Sequence, residues 1–183
     1  MNRTEALDLV KQNIEKTYLL NHMLAVEACM KKIAAYLNED IIDWGLAGLL
    51  HDIDYEITKD NPEKHGLLGG EMLRKHGIKD SIIYAVESHS SHSQQERESL
   101  MAKALYAIDP LSGLLIAATL MTPDKKLSSL TTPFVLKRFK EKRFAAGANR
   151  DQIKTCESWG MPLEKLIDLS VAAMQEISNE IGL

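Results

Sequence analysis

Leu19-Leu20-Asn21-His22-Met23-Leu24-Ala25-Val26-Glu27-Ala28-Cys29-Met30-Lys31-Lys32-Ile33-Ala34-Ala35-Tyr36-Leu37 decides the fold class, because Leu19, Met23, Val26, Met30, Ile33 and Leu37 recur at steps of four and three. At about 3.6 residues per turn those positions form one apolar stripe on a helix. No stretch alternates convincingly with period two, so the chain is predicted to be all-α.

Working outward, Glu39 to His51 carries Ile41, Ile42, Trp44, Leu46, Ala47, Leu49 and Leu50 on nearly all sides, the pattern of a buried central helix. Asn61-Pro62-Glu63 reads as an N-cap with proline at the first helical position, and Gly77 closes that helix, leaving His65 in its first turn. Asp80 caps a segment ending near His89, and Ser90 to Gln95 is a polar loop. Helical patterns run from Glu98 to Ile108 and from Pro110 to Met121, with Asp109 as the cap between them. Further helices start at Thr132-Pro133, at Asn149 or Arg150, and at Pro162. The expected organisation is one domain over 1–183, with a core at about 19–121 and a C-terminal helical extension over 122–183.

The chain has 183 residues, 45% hydrophobic and 26% charged, which suits one globular domain. A net charge of −4 supplies no overall field to attract nucleic acid or anionic lipid, so any anionic ligand is expected to be held locally. The longest apolar run, Leu111 to Met121, is interrupted and short for a bilayer, and the N-terminus shows no secretory pattern. A soluble, cytoplasmic protein is expected. Cys29 and Cys156 lack CxxC spacing and read as buried thiols.

Chemistry is concentrated in His22, His51-Asp52, His89 and Asp109, all set among apolar residues. Each has an ordinary alternative: His22 as a core histidine, His51 as a helix-end dipole partner, Asp109 before Pro110 as an N-cap. Jointly they make a mixed nitrogen and oxygen donor set of the kind that holds Fe, Mn, Zn or Co. Gly45 and Gly48, just before His51, allow the close helix packing that such convergence demands.

The order His22, then Gly48-Leu49-Leu50-His51-Asp52-Ile53, then Ala107-Ile108-Asp109 resembles the HD-domain metal-dependent phosphohydrolase superfamily. That resemblance implies a helical bundle of about eight to ten helices in which His22, His51, Asp52 and Asp109 ligate a metal. His65-Gly66-Leu67-Leu68-Gly69-Gly70 and Ala85-Val86-Glu87-Ser88-His89 resemble the extra histidine segments of two-metal members, where Asp52 would bridge and His65 and His89 would hold the second ion.

The implied activity is hydrolysis of a small phosphate ester or nucleotide by metal-activated hydroxide, with one or two divalent transition ions (Fe, Mn, Zn, Co or Ni) as cofactor. Asp52 and Asp54 are the expected catalytic carboxylates, Asp54 either as acid/base or as the orienting partner of a ligand histidine. The expected partner is a small phosphorylated metabolite or nucleotide, with no nucleic-acid polymer, no membrane, and a homodimer as an open option. From the basic stretch Lys137 to Arg143 and its surroundings, Lys125 and Arg150 are the expected phosphate-holding cations. Two alternatives stand beside this reading: a di-iron HD-type oxygenase, which needs the full six-residue set, and a non-catalytic regulatory module that binds a nucleotide.

Overall fold

A computed structural model describes all 183 residues and contains α-helices, short 3-10 turns and no strand. The helices are α1 (Arg3–Asn13), α2 (Thr17–Leu37), α3 (Ile41–Leu50), α4 (Tyr55–Thr58), α5 (Leu67–Lys75), α6 (Asp80–Ser88), α7 (Leu100–Thr119), α8 (Thr132–Lys140), α9 (Arg150–Lys154), α10 (Leu163–Glu176) and α11 (Ser178–Ile181). The architecture is the all-α bundle the apolar periodicity predicts.

Local side-chain caps set four of the helix starts. The Asn2 side chain accepts from the Glu5 N–H while the Glu5 carboxylate accepts from the Asn2 N–H, a reciprocal cap on α1. Asp40 accepts from the amides of Ile42 and Asp43 at the head of α3, and Asn149 does the same for α9. Asn38 ends α2 in the left-handed conformation, with φ of 59°.

Packing is organised around α2, which lies against α3, α7 and α10. Met23, Val26, Met30 and Ile33 of its stripe are completely buried, as are Leu49 and Leu50 of α3. Each such side chain contributes about 1.5–3 kcal/mol when removed from water. One continuous apolar cluster reaches from Ala6 to Ile181.

The α2–α3 contact is closer than side chains at every position would permit. A Cβ at Gly48 would stand 2.9 Å from the Glu27 backbone nitrogen and 2.9 Å from the Val26 carbonyl oxygen. Glycine is required there for the two helix backbones to meet, and the meeting brings the end of α3 beside His22.

Two expected boundaries differ. Pro62 opens only a 3-10 turn, Pro62–Lys64; His65 is then extended and Gly66 has φ of +83°, so helix resumes at Leu67. His65 therefore sits in a chain break and not in a first helical turn. The Asn61 side chain makes no cap bond.

Likewise Asp109-Pro110 starts no helix, because α7 runs unbroken through both. Proline has no N–H to give the carbonyl four residues earlier, here that of Tyr106. Gln152 of α9 takes over, donating from Nε2 to the Tyr106 oxygen at 2.8 Å. With 20 residues, α7 is long and apolar enough to cross a membrane by length and composition; in the fold its Ala104, Leu105, Ile108, Leu111 and Leu115 are buried in the core. The shorter apolar run expected from Leu111 is only its second half.

Candidate metal centre

Four histidines and two aspartates meet where α2, the end of α3, the break before α5, the end of α6 and the middle of α7 converge. His22 Nε2 stands 3.2 Å from His51 Nε2, and His65 Nε2 stands 3.1 Å from His89 Nε2. Between the pairs lies Asp52: its Oδ1 is 3.1 Å from His65 Nε2, 3.4 Å from His89 Nε2 and 3.5 Å from His51 Nε2, and its Oδ2 is 3.7 Å from His22 Nε2. Asp109 Oδ1 lies 3.2 Å from His22 Nε2 and 3.8 Å from His51 Nε2.

The other ring nitrogen of each histidine is already committed. His51 Nδ1 donates to the Gly48 carbonyl at 2.8 Å and His89 Nδ1 to the Val86 carbonyl at 2.6 Å. His65 Nδ1 donates to Asp54 Oδ1 at 2.9 Å. His22 Nδ1 donates to Ser112 Oγ at 2.9 Å, since that hydroxyl spends its own proton on the Asp109 carbonyl. With Nδ1 as the donor in all four rings, each ring in its neutral form turns the Nε2 lone pair to the centre.

Lone pairs facing one another at about 3 Å, beside two carboxylates, repel unless a positive charge lies among them. Burial pushes His51 down to about 4 despite Asp52 and Asp109, so its ring is neutral at physiological pH. Burial also works against charge on His65, yet hydrogen bonds to Asp52 and Asp54 push it up to about 10. His22 is raised too, where Asp109 and Asp52 prevail over burial. The carboxylates thus demand cationic charge from their neighbours. Neutral imidazole nitrogens with carboxylate oxygens, oriented by outer hydrogen bonds, form a donor set that fits a divalent transition cation.

Asp54 corrects one expectation. Fully buried, it accepts from His65 Nδ1, from the Gly66 amide at 2.8 Å and from the Gly69 amide at 2.8 Å. Those amides belong to the free N–H groups at the head of α5, so Asp54 caps that helix from a distance while orienting His65. It faces no cleft and is a positioning residue; of the two roles weighed for it, acid/base is not the one the geometry serves.

Lys125 and Arg150 are corrected as well. The Arg150 guanidinium donates to the carbonyls of Ala145 and Ala148 at 2.6 and 2.7 Å and also to that of Phe144, which pins the 141–148 segment. Lys125 lies in the turn beyond α7, whose end is about 15 Å along the helix axis from Asp109. Neither residue lines a cleft that reaches the centre.

Besides a smaller opening past Gly113, Ala145 and Ala148 to His22 and Asp109, two larger clefts open on the cluster. One, of about 400 Å³, runs past Thr58, Lys59, Ser90, Ser91, His92 and Gln152 to His65, His89 and Asp109. The other, of about 420 Å³, runs between Tyr18, Leu19, Tyr55 and Ile116 to His22, Asp52, His65 and Asp109. His92 lines the first of these clefts, and His76 is exposed. Unforeseen were Ser112, Tyr18, Tyr55 and Gln152. Two of them carried a readable signal, Tyr18 four residues before His22 and Ser112 three after Asp109, spacings that share a helix face.

The HD domain family model matches residues 19–114. Among curated proteins, ribonuclease Y of Nitratidesulfovibrio vulgaris strain Hildenborough is 35% identical over 95 residues, covering 52% of this chain and 18% of the relative. Ribonuclease Y of Fusobacterium nucleatum is 31% identical over 94 residues, 51% of this chain and 18% of the relative. That of Chloroflexus aurantiacus is 29% identical over 136 residues, 73% of this chain and 26% of the relative. The chain spans well under two thirds of the length of these relatives. No solved structure matches it.

These relatives overturn the expectation of a small-metabolite partner with nucleic-acid polymer excluded, since each bears the name of an enzyme that cleaves RNA. The physical reason is that net charge averages over a whole surface. It does not report the sign of charge inside any one cleft.

Proposed function

The chain belongs to the HD-domain family, whose members are mostly metal-dependent hydrolases, and from that premise we propose that it hydrolyses phosphodiester bonds of RNA at the histidine and aspartate cluster. The observation that carries the reading is the convergence of four imidazole Nε2 atoms around the carboxylate of Asp52. In this reading His22, His51, Asp52 and Asp109 hold one divalent ion, and His65 and His89 share Asp52 to hold a second. Bound there, such ions supply activation of water and neutralisation of charge on the phosphoryl oxygens.

The chain's own groups do the rest. Asp52 lies between the two donor sets, its Oδ1 nearest His65, His89 and His51 and its Oδ2 nearest His22. Gly48, Val86, Asp54 and Ser112 hold the four rings with Nδ1 as the donor, the orientation that turns Nε2 to the centre. Burial of His51, Asp52 and His89 excludes bulk water and strengthens each electrostatic contact. Lys59 offers a cation in the cleft for the phosphate backbone, and Lys142 and Arg143 are exposed beside the segment whose Gly147 forms part of that cleft's rim. The reaction adds water across a P–O bond, hydroxyl to phosphorus and proton to the departing ribose oxygen. The relatives' name supports hydrolysis over the oxygenase and regulatory alternatives.

The test is metal analysis of protein purified without chelator, followed by assay on short RNA strands with Mn, Co, Ni or Mg. Bound metal of about one ion per chain or more, with RNA shortened by hydrolysis, is the expected result. Asp52→Ala is expected to abolish both. Metal-free protein that no added ion activates would sink the reading, and so would cleavage confined to phosphomonoesters.

A further inference from the structure

Two exposed tyrosines stand over the centre, and the packing of the core does not require them. Tyr18 is 64% exposed in the first turn of α2, one helical turn before His22 and on the same face. Tyr55 is 39% exposed at the head of α4, with its ring edge-to-face on His65 at 5.5 Å between centroids and 87° between planes. What sets these two apart from the other exposed apolar residues is their place in the wall of a cleft floored by the donor cluster.

Both rings line the same cleft, whose remaining wall is Leu19, Gly113 and Ile116 and whose floor is the donor cluster. The neighbouring cleft shares Tyr55, His65 and Asp109 with it but is otherwise walled by hydroxyls, amide and cation: Thr58, Ser90, Ser91, Gln152 and Lys59. An aromatic chamber and a polar chamber therefore meet at one reactive centre. A nucleotide strand has the same division, with flat apolar faces on its bases and a charged, hydroxylated backbone joining them.

We propose that the Tyr18–Tyr55 chamber binds the nucleobase flanking the scissile phosphate by stacking, while the sugar-phosphate backbone continues along the polar chamber past Lys59. Stacking on a tyrosine face accepts any base, so this device gives affinity and register with little sequence preference. A Tyr18 ring on the face of α2 that carries His22, and a Tyr55 ring braced by His65, hold the base at a set distance from the cluster. The assignment rests on the RNA reading above and adds to it the position of the base.

The experiment uses the full chain with short RNA strands carrying 2-aminopurine or an abasic residue beside the cleavage position. With wild type, 2-aminopurine fluorescence is expected to be quenched on binding. Tyr18→Leu and Tyr55→Leu should each remove quenching and weaken binding about 5- to 100-fold, the loss appearing in KM, with Tyr→Phe at either position retaining the wild-type behaviour. The abasic strand should bind wild type as weakly as the intact strand binds the leucine variants, and lose little further in those variants. Lys59→Ala should weaken intact and abasic strands alike and flatten the salt dependence. Equal affinity of wild type for intact and abasic strands overturns the proposal, and so does normal cleavage with unquenched fluorescence; both leave the RNA reading standing. Failure of any RNA to bind defeats that reading together with this one.

Discussion

The two halves of the centre are held by different means. His22, His51 and Asp109 belong to long helices or their ends, and their positions follow from backbone packing at Gly48 and along α7. His65 sits where helix stops, in the break before α5, and its position follows from the polar contact to Asp54, while His89 closes α6 with Nδ1 on the Val86 carbonyl as His51 closes α3 with Nδ1 on that of Gly48. A site half built on packing should fail by steric intrusion, and a half built on polar contacts by loss of an acceptor.

The largest expected effect is that of Gly48→Val, whose branched side chain meets backbone atoms that have nowhere to move. A loss of about 3 kcal/mol or more in chemical denaturation is expected, with failure of the whole centre. Stability within about 0.5 kcal/mol of wild type would break the claim that backbone contact sets the first half.

Asp54→Ala comes next, because it strands three donors at once: His65 Nδ1 and the amides of Gly66 and Gly69. Each unsatisfied buried donor costs about 1–3 kcal/mol, and on the two-ion reading proposed above metal affinity at the His65 half should fall about 10- to 100-fold with that of the His22 half unchanged. Competition titration with a chelator reads the two affinities. Equal loss from both halves would dissolve the distinction.

Gln152→Leu should cost about 1–3 kcal/mol by leaving the Tyr106 carbonyl without a donor at the proline step, as thermal or urea unfolding would record. Its effect on metal content should be slight if α7 is held mainly by packing. Ser112→Ala removes the acceptor of His22 Nδ1, yet α2 still holds the ring in place. About a 10-fold loss of metal affinity at most is expected, less than for Asp54→Ala. A larger loss for Ser112→Ala than for Asp54→Ala would invert the comparison.

Much of the fold was legible because helical signals are local. The stripe from Leu19 to Leu37, Asn149 as a cap and Pro162 before α10 appear in the structure close to where the pattern puts them. The errors came at sites that depend on distant partners. Asp109-Pro110 has the local form of a helix start, but a glutamine 42 positions after the proline satisfies the carbonyl that proline abandons and the helix continues. Asn61-Pro62 has the same form, but Asp54 gathers the amides of Gly66 and Gly69 and sets the helix start five residues later, at Leu67. Arg150 has the charge of a phosphate binder, and backbone carbonyls consume it.

By itself the sequence determined the helical class, from apolar periodicity along single segments, and the order of donor residues that marks the HD family. Only the tertiary structure decided which ring nitrogens face inward, that Asp54 is buried against His65 and the head of α5, and that an aromatic and a polar chamber share one floor. Periodicity records which face of a helix is buried, whereas convergence depends on distances between helices, and those are set by contacts such as Gly48 against Glu27 that no single segment contains.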